Sequence, residues 1–316
     1  MRMHNADENC GIAQAAVVMG DWWNVLVLRE VARGHVRFDA LAAELGLSRK
    51  VLTERLGGLV ALGVLRRDLY QRRPVRYEYL LTDSGLALLP VLVALQDWGD
   101  QWVLGDGTAT ATAAVDGAQH SRVHALAGQR LPAGLALPAT LPATVTAAAT
   151  GDGGTEQAGC VPDAPAEGPG TGELPVVAPD AAATVVFCYP GTGVAWDGAI
   201  PGAAGCTLEN RLFRDAWPDF RRAGVAVHGV STQLPSEQAA FARAEGVPFP
   251  LLSDARQRLA AALRLPVFRG AGRLRLRRLV LVADRERTVR HVLFPVEDIP
   301  GAVRAALDLS SAVAAG

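Results

Sequence analysis

RFDALAAELGLSRKVLTERLGGLVALG, residues 37–63, holds two amphipathic runs on either side of a short turn. Apolar residues recur at helical spacing before the turn, and again after it, where Val51, Leu52, Leu56, Leu59 and Leu62 form one stripe. Gly46 and Ser48 supply a turn and an N-cap. This is helix-turn-helix spacing. It leaves Ser48, Arg49, Lys50, Thr53 and Arg55 at the polar start of the second helix, free to enter a major groove.

Outward from this motif, VLRRDLYQRRPVRYEYLLT, residues 64–82, alternates in the manner of two strands around an Arg-rich, Pro-containing tip. A wing is built this way, and Arg72, Arg73 and Arg76 at its tip can reach phosphates or a minor groove. Residues 48–79 hold eight basic side chains against three acidic ones, in a chain whose formal net charge is −1. A charge run alone usually marks a solvated face. Here the bases gather on one motif, so the expected partner is double-stranded DNA.

At 316 residues and 50% hydrophobic content the chain is long enough for more than one core. We place a winged-helix domain at 1–104, a Gly/Thr/Ala linker at 105–120 and a second domain at 121–316. The second domain is interrupted by a low-complexity insertion at about 150–183, where Gly, Pro, Ala, Glu and Asp leave nothing to bury. No apolar run has the length of a membrane span and the first residues lack a secretory pattern, so a cytoplasmic location is expected. The four cysteines, Cys10, Cys160, Cys188 and Cys206, have no metal-ligand spacing, and neither a metal nor a cofactor is expected.

After the insertion, TVVFCYP and VAVHGVST read as strands around the helix LFRDAWPDFRRAG. SEQAAFARAEG and DARQRLAAALR read as helices, RRLVLVAD and VRHVLFPV as strands, and PGAVRAALDLS as a last helix. HALAGQRLPAGLALPATLPATVTAAA, before the insertion, offers two edge strands. The alternation predicts an α/β sandwich with helices on both faces, behind an α+β winged helix: a multidomain chain.

The first hundred residues also resemble the HxlR-type winged-helix regulators, through GDWWNVLVLREVARGHVRFDALAAEL, SRKVLTERLGGLVALGVLRR and PVRYEYLLTDSGLALLPVLVALQDWG. The resemblance implies a homodimer on an inverted repeat. Its interface would come from the helix from Asp83 to about Val103 and from the first helix, near Gly11 to Met19. It also draws attention to Cys10, since a cysteine just before the first helix serves some members as a redox switch; the alternative is a small apolar filler.

IPGAAGCTLENRLFRD places Cys206 between a Gly-rich loop and an amphipathic helix. A cysteine at a helix N-terminus meets unpaired amides and the positive end of the dipole, both of which favour thiolate. This segment, with VVFCYPGTG before it and VHGVSTQLPSEQAAFARAEGVPFPLLSDARQRLAAALRLPVF after it, resembles the peroxiredoxins, thioredoxin-fold proteins of the AhpC-TSA type, especially the bacterioferritin-comigratory branch.

By that resemblance Cys206 is the peroxidatic cysteine, which attacks a peroxide and becomes a sulfenic acid, and Arg278 polarises the peroxide. Two departures stand out. Ala203 takes the place of a threonine, leaving Thr192 as the nearby hydroxyl, and Arg211 takes the place of a resolving cysteine. Cys188 reads as a core residue. Cys160, in the insertion, either reaches Cys206 or has no role; failing that, an external thiol or a cysteine of the partner subunit resolves the oxidised site. His228 and His291 read as packing, and Ser253 and Asp254 as a helix-capping turn.

The expected function is a redox-responsive transcriptional regulator with a peroxide-sensing domain. The alternatives are a thiol-dependent peroxidase with an attached DNA-binding domain, or a regulator with a degenerate thioredoxin-fold module.

Overall fold

The computed structural model describes residues 10–105, 107, 111, 117–140, 172–196 and 200–316. It divides into two compact units, one of Met1–Trp98 with Leu131–Ala133 and Arg256–Leu265, the other of Gly99–Arg130, Gly134–Ala255 and Pro266–Gly316.

The first unit opens with α1 (Gly11–Met19), an apolar helix none of whose residues is buried. In α2 (Trp22–Ala32) the Asp21 carboxylate accepts from the Trp23 N–H at the N-cap. Helix α3 (Phe38–Leu45) stops at Gly46, whose φ of +61° is the left-handed conformation that glycine adopts without strain. Helix α4 (Arg49–Ala61) starts at Ser48, whose Oγ accepts from the Val51 N–H.

Val27, Leu28 and Val31 of α2, Leu41 of α3 and Leu52, Leu56 and Leu59 of α4 close one core. The expected stripe of α4 is narrower than its sequence suggests: Val51 is only partly covered, and Leu62, past the helix end, is 45% exposed.

Strands β1 (Leu65–Arg72) and β2 (Val75–Leu81) pair antiparallel from Leu65 opposite Leu81 to Arg72 opposite Val75, forming the wing. The helix expected from Asp83 to about Val103 is broken into α5 (Asp83–Ala87), α6 (Leu89–Gly99) and a π-helical turn at Asp100–Leu104.

The second unit contains α7 (Gly117–His124), β3 (Ala136–Thr140), β4 (Glu173–Pro175), β5 (Ala183–Cys188), α8 (Cys206–Arg222), β6 (Val225–Ser231), α9 (Pro235–Glu245) and β7 (Leu251–Ser253). Next in the chain come α10 (Arg258–Leu263), which belongs to the first unit, and then, in the second, β8 (Val267–Gly270), β9 (Arg273–Leu276), β10 (Leu279–Asp284), β11 (Val289–Leu293) and α11 (Ile299–Ala315). Seven strands form one mixed sheet in the order β11-β10-β5-β6-β7-β3-β4.

At the centre, β5, β6 and β7 run parallel, joined by crossovers that contain α8 and α9. All six residues of β5 are buried, as a near-continuous apolar strand covered on both faces requires. Val185 and Phe187 pack with Phe213 and Phe220 of α8 and with Val303 and Ala306 of α11. The alternate residue Thr184 bonds the Ala178 N–H, and His228 of β6 bonds the Val176 carbonyl.

In the span before the insertion, residues 124–149, one strand, β3, lies among the described residues, which within that span end at Thr140. One expectation needs correction. The insertion's bland composition extends too far: β4 pairs with β3, and Val176 and Val177 are buried. Residues 150–171 of the insertion, and most of the proposed linker, lie outside the described residues.

Candidate functional site

Strand β5 delivers the chain to the loop that ends at Gly205, whose φ of +97° turns it into α8. Cys206 is the first residue of that helix and is 3% exposed. Across the sheet, Arg278 immediately precedes β10, which pairs with β5 so that Leu279 faces Cys188. The sheet therefore brings Arg278 beside the start of α8.

The Arg278 guanidinium, 2% exposed, donates through Nη2 to Cys206 Sγ at 3.2 Å. It also donates to the carbonyls of Gly202 (3.0 Å) and Ala204 (3.1 Å) and through Nε to Glu209 Oε2 (2.8 Å). The thiol lies 3.6 Å from the Ala203 carbonyl. One cation thus holds the loop, the thiol and a buried carboxylate together.

The electrostatics correct the expectation of a simply acidified thiol. Burial pushes the Cys206 pKa up; Arg278 pulls it down, Glu209 pushes it up, and the Gly191 backbone N–H pulls it down, with a net upward shift. Burial likewise pushes Glu209 up to about 7, against the pull of Arg278. Thiolate in this pocket depends on a positive charge outweighing its neighbouring carboxylate.

The other sequence candidates are less tightly gathered. Thr192 is buried, but its hydroxyl donates to Gln233 Oε1 at 3.2 Å, and its N–H to the same oxygen at 2.8 Å. Arg211 is exposed and pairs bidentately with Glu245 at 2.7 and 2.8 Å. Cys188 is fully buried, and desolvation holds its thiol well above the ordinary range. Cys10 is exposed at the start of α1, and Cys10, Cys188 and Cys206 are all free thiols. Cys160 lies outside the described residues.

Sequence reasoning overlooked Glu209, Asn210 and Arg275. Glu209 stands one helical turn from Cys206, on the same face of α8, and is buried. Asn210 Nδ2 donates to the Cys206 carbonyl at 2.9 Å. Arg275, 4% exposed, lies on the unexpected β8–β9 hairpin with Nη1 against Gly191.

In the first unit, Lys50, Arg72 and Arg73 are exposed. Arg49 and Arg76 both reach Asp39 of α3, at 3.1 and 3.6 Å, so one carboxylate links the start of α4 to the wing. The Thr53 hydroxyl donates to the Arg49 carbonyl at 2.7 Å. Arg55, partly exposed, pairs with Asp21 at 2.9 Å, tying α4 to the cap of α2. Glu30, His35 and Glu44 also converge, but the Glu30 carboxylate already accepts from Arg29, Arg33 and His35.

Residues 18–106 match the HxlR-like helix-turn-helix family and residues 181–292 the AhpC/TSA family. An uncharacterised HTH-type transcriptional regulator of Mycobacterium tuberculosis is 40% identical over 96 residues, 30% of this chain. The chain spans 61% of that relative's length. YvaP of Bacillus subtilis, another uncharacterised HTH-type regulator, is 39% identical over 101 residues, which are 31% of this chain and 94% of YvaP.

Among solved structures, peroxidoxin BcpB of Mycobacterium tuberculosis is 29% identical, with 41% of this chain and 79% of that chain covered, at a TM-score of 0.36. With the whole length of a regulator such as YvaP nearly spanned by its first hundred residues, the chain belongs to the HxlR-like helix-turn-helix family, and it carries an AhpC/TSA family domain behind that motif.

Proposed function

We propose that this protein is a transcriptional regulator whose affinity for DNA depends on the oxidation state of Cys206. The observation that carries this reading is the 3.2 Å bond from Arg278 to Cys206 Sγ at the start of α8, in the same chain as a helix-turn-helix. Peroxide attack by the thiolate yields a sulfenic acid and adds an oxygen atom to a site that is 3% exposed. The loop carbonyls of Gly202 and Ala204 share Arg278 with the thiol, so the loop must adjust when the sulfur changes. A difference of about 1.4 kcal/mol between the two states shifts operator affinity tenfold.

The regulator acts as a homodimer on an inverted repeat. Support comes from α1, which buries none of its apolar residues, and from the exposed Leu95, Trp98, Trp102 and Val103 further along. Such a run of uncovered apolar groups fits a partner helix. Arg211 occupies the place of a resolving thiol, so a sensor reduced by an external thiol suits the site better than a fast peroxidase. Cys10 and Cys160 are held as secondary redox candidates in a cytoplasmic protein.

Mass spectrometry after a stoichiometric peroxide pulse, with dimedone present, tests the chemistry. The adduct is expected on Cys206. Unmodified Cys206 beside a modified Cys10 would transfer the sensing role to α1.

A further inference from the structure

The helical stretch that closes the winged-helix region changes units before it ends. The boundary falls after Trp98, so Asp100–Leu104, which follows α6 without a break, packs within the second unit. These five residues wind as a π-helical turn. Such winding is rare and is found frequently at functional sites.

Asp100, 4% exposed, fixes the turn. Its carboxylate accepts bidentately from Arg122 of α7, 2.9 Å from Nη1 and 2.5 Å from Nη2. Gln101 and Gly107 exchange two further hydrogen bonds, of 2.7 and 2.9 Å, around it. A buried ion pair of this kind holds its geometry firmly, because losing either partner strands a charge.

From Arg122 a continuous set of contacts leads to the thiol. Two residues on, His124 Nε2 donates to the Phe294 carbonyl at 2.7 Å, and the Gly128 N–H donates to the Val289 carbonyl of β11 at 2.8 Å. Phe294 leads into Val296 and Ile299, which lie in the buried apolar cluster that contains Cys206. Ile299 Cδ1 stands 2.7 Å from where a Cβ would project on Gly205, the residue before the thiol.

We propose that the Asp100–Arg122 pair is the joint through which the oxidation state of Cys206 reaches the DNA-binding unit. This rests on the reading of the protein as a regulator governed by Cys206. In the oxidation itself the thiolate attacks hydrogen peroxide, the S–O bond forms as the O–O bond breaks, and the hydroxide that leaves takes a proton to become water. The oxygen added to a close-packed site shifts Ile299 and Phe294, displaces α7 through His124 and loosens the pair. The turn then relaxes toward α-helix. Because the two windings differ in residues per turn, Trp102 and Val103, 60% and 65% exposed, come to face a new direction on the surface assigned to the partner subunit. A turn with two windings is the bistable element that coupling between sites requires.

The test measures the affinity of the full-length protein, reduced and after hydrogen peroxide, for a duplex selected from a random pool by the wild type. Sulfenic acid formation on Cys206 is followed alongside by dimedone trapping. The wild type is expected to shift about tenfold between states, whereas in Asp100→Asn and Arg122→Gln the two states should agree within about twofold. Arg122→Lys should keep part of the shift. All three variants should oxidise Cys206 at the wild-type rate, a result that general damage to the domain would not give.

Hydrogen–deuterium exchange of the wild type supplies an arm that stands even if the variants misfold. Residues 100–104 and 117–124 are expected to exchange faster once Cys206 is oxidised. A wild type that responds to peroxide while Asp100→Asn responds equally would overturn the joint alone, as would unchanged exchange at residues 100–104. A reduced wild type that binds the duplex and keeps its affinity after oxidation of Cys206 would overturn the reading of Cys206 as the sensor, and this inference with it.

Discussion

Arg278 donates to Cys206 Sγ across 3.2 Å although 72 positions separate the two residues in the chain. Because the same guanidinium binds Glu209 at 2.8 Å, the thiol is controlled by a balance of one cation and one carboxylate inside a closed site. The consequences can be measured residue by residue.

Replacing Arg278 by Gln removes the main influence that lowers the Cys206 pKa and leaves burial and Glu209, which raise it. Alkylation of Cys206 by iodoacetamide at pH 7 should slow by about tenfold, with its pH profile displaced upward. An unchanged profile would mean that Arg278 does not act on the thiol.

Burial raises the Glu209 pKa to about 7, above the value in the unfolded chain. The stability that goes with a protonated Glu209 is therefore complete below the ordinary carboxylate range and is lost as pH rises toward about 7. Thermal unfolding of the wild type should show a midpoint that falls over this window. Glu209→Gln, which cannot ionise, should flatten that slope whatever its absolute stability.

The exposed Lys50 and Arg73 are expected to bind phosphate or base edges. Lys50→Ala and Arg73→Ala should each weaken operator binding. For each phosphate left without its cation, the slope of log affinity against log salt should become shallower by about one. Gel-shift titrations at several salt concentrations check this.

Ser48 and Arg55 should act instead through the fold. The Ser48 Oγ is engaged in capping α4 and Arg55 in its pair with Asp21. Ser48→Ala should cost about 1 kcal/mol in urea unfolding. Arg55→Ala should also destabilise, and neither should change the salt slope.

Much of this architecture is legible in the residues themselves, because local physics decides it. Gly46 and Ser48 mark the helix-turn-helix, where only a left-handed turn and a side-chain cap satisfy the chain. Strand β5 is equally plain as a continuous apolar run. The β8–β9 hairpin is not, because RGAGRLRLRR carries so much charge that it reads as surface, whereas Arg275, Arg277 and Arg278 are buried. Glu209 escapes for the same reason: a carboxylate on an amphipathic helix suggests the solvent face, and only the tertiary approach of Arg278 explains its burial. Thr192 shows the converse, a plausible hydroxyl that the fold engages with Gln233.

The most direct test is operator affinity before and after peroxide, in the wild type and in Cys206→Ser. The account predicts a shift of about tenfold or more in the wild type, reversed by a thiol reductant and absent from Cys206→Ser. A reduced wild type that binds tightly and keeps its affinity after Cys206 is oxidised would contradict it.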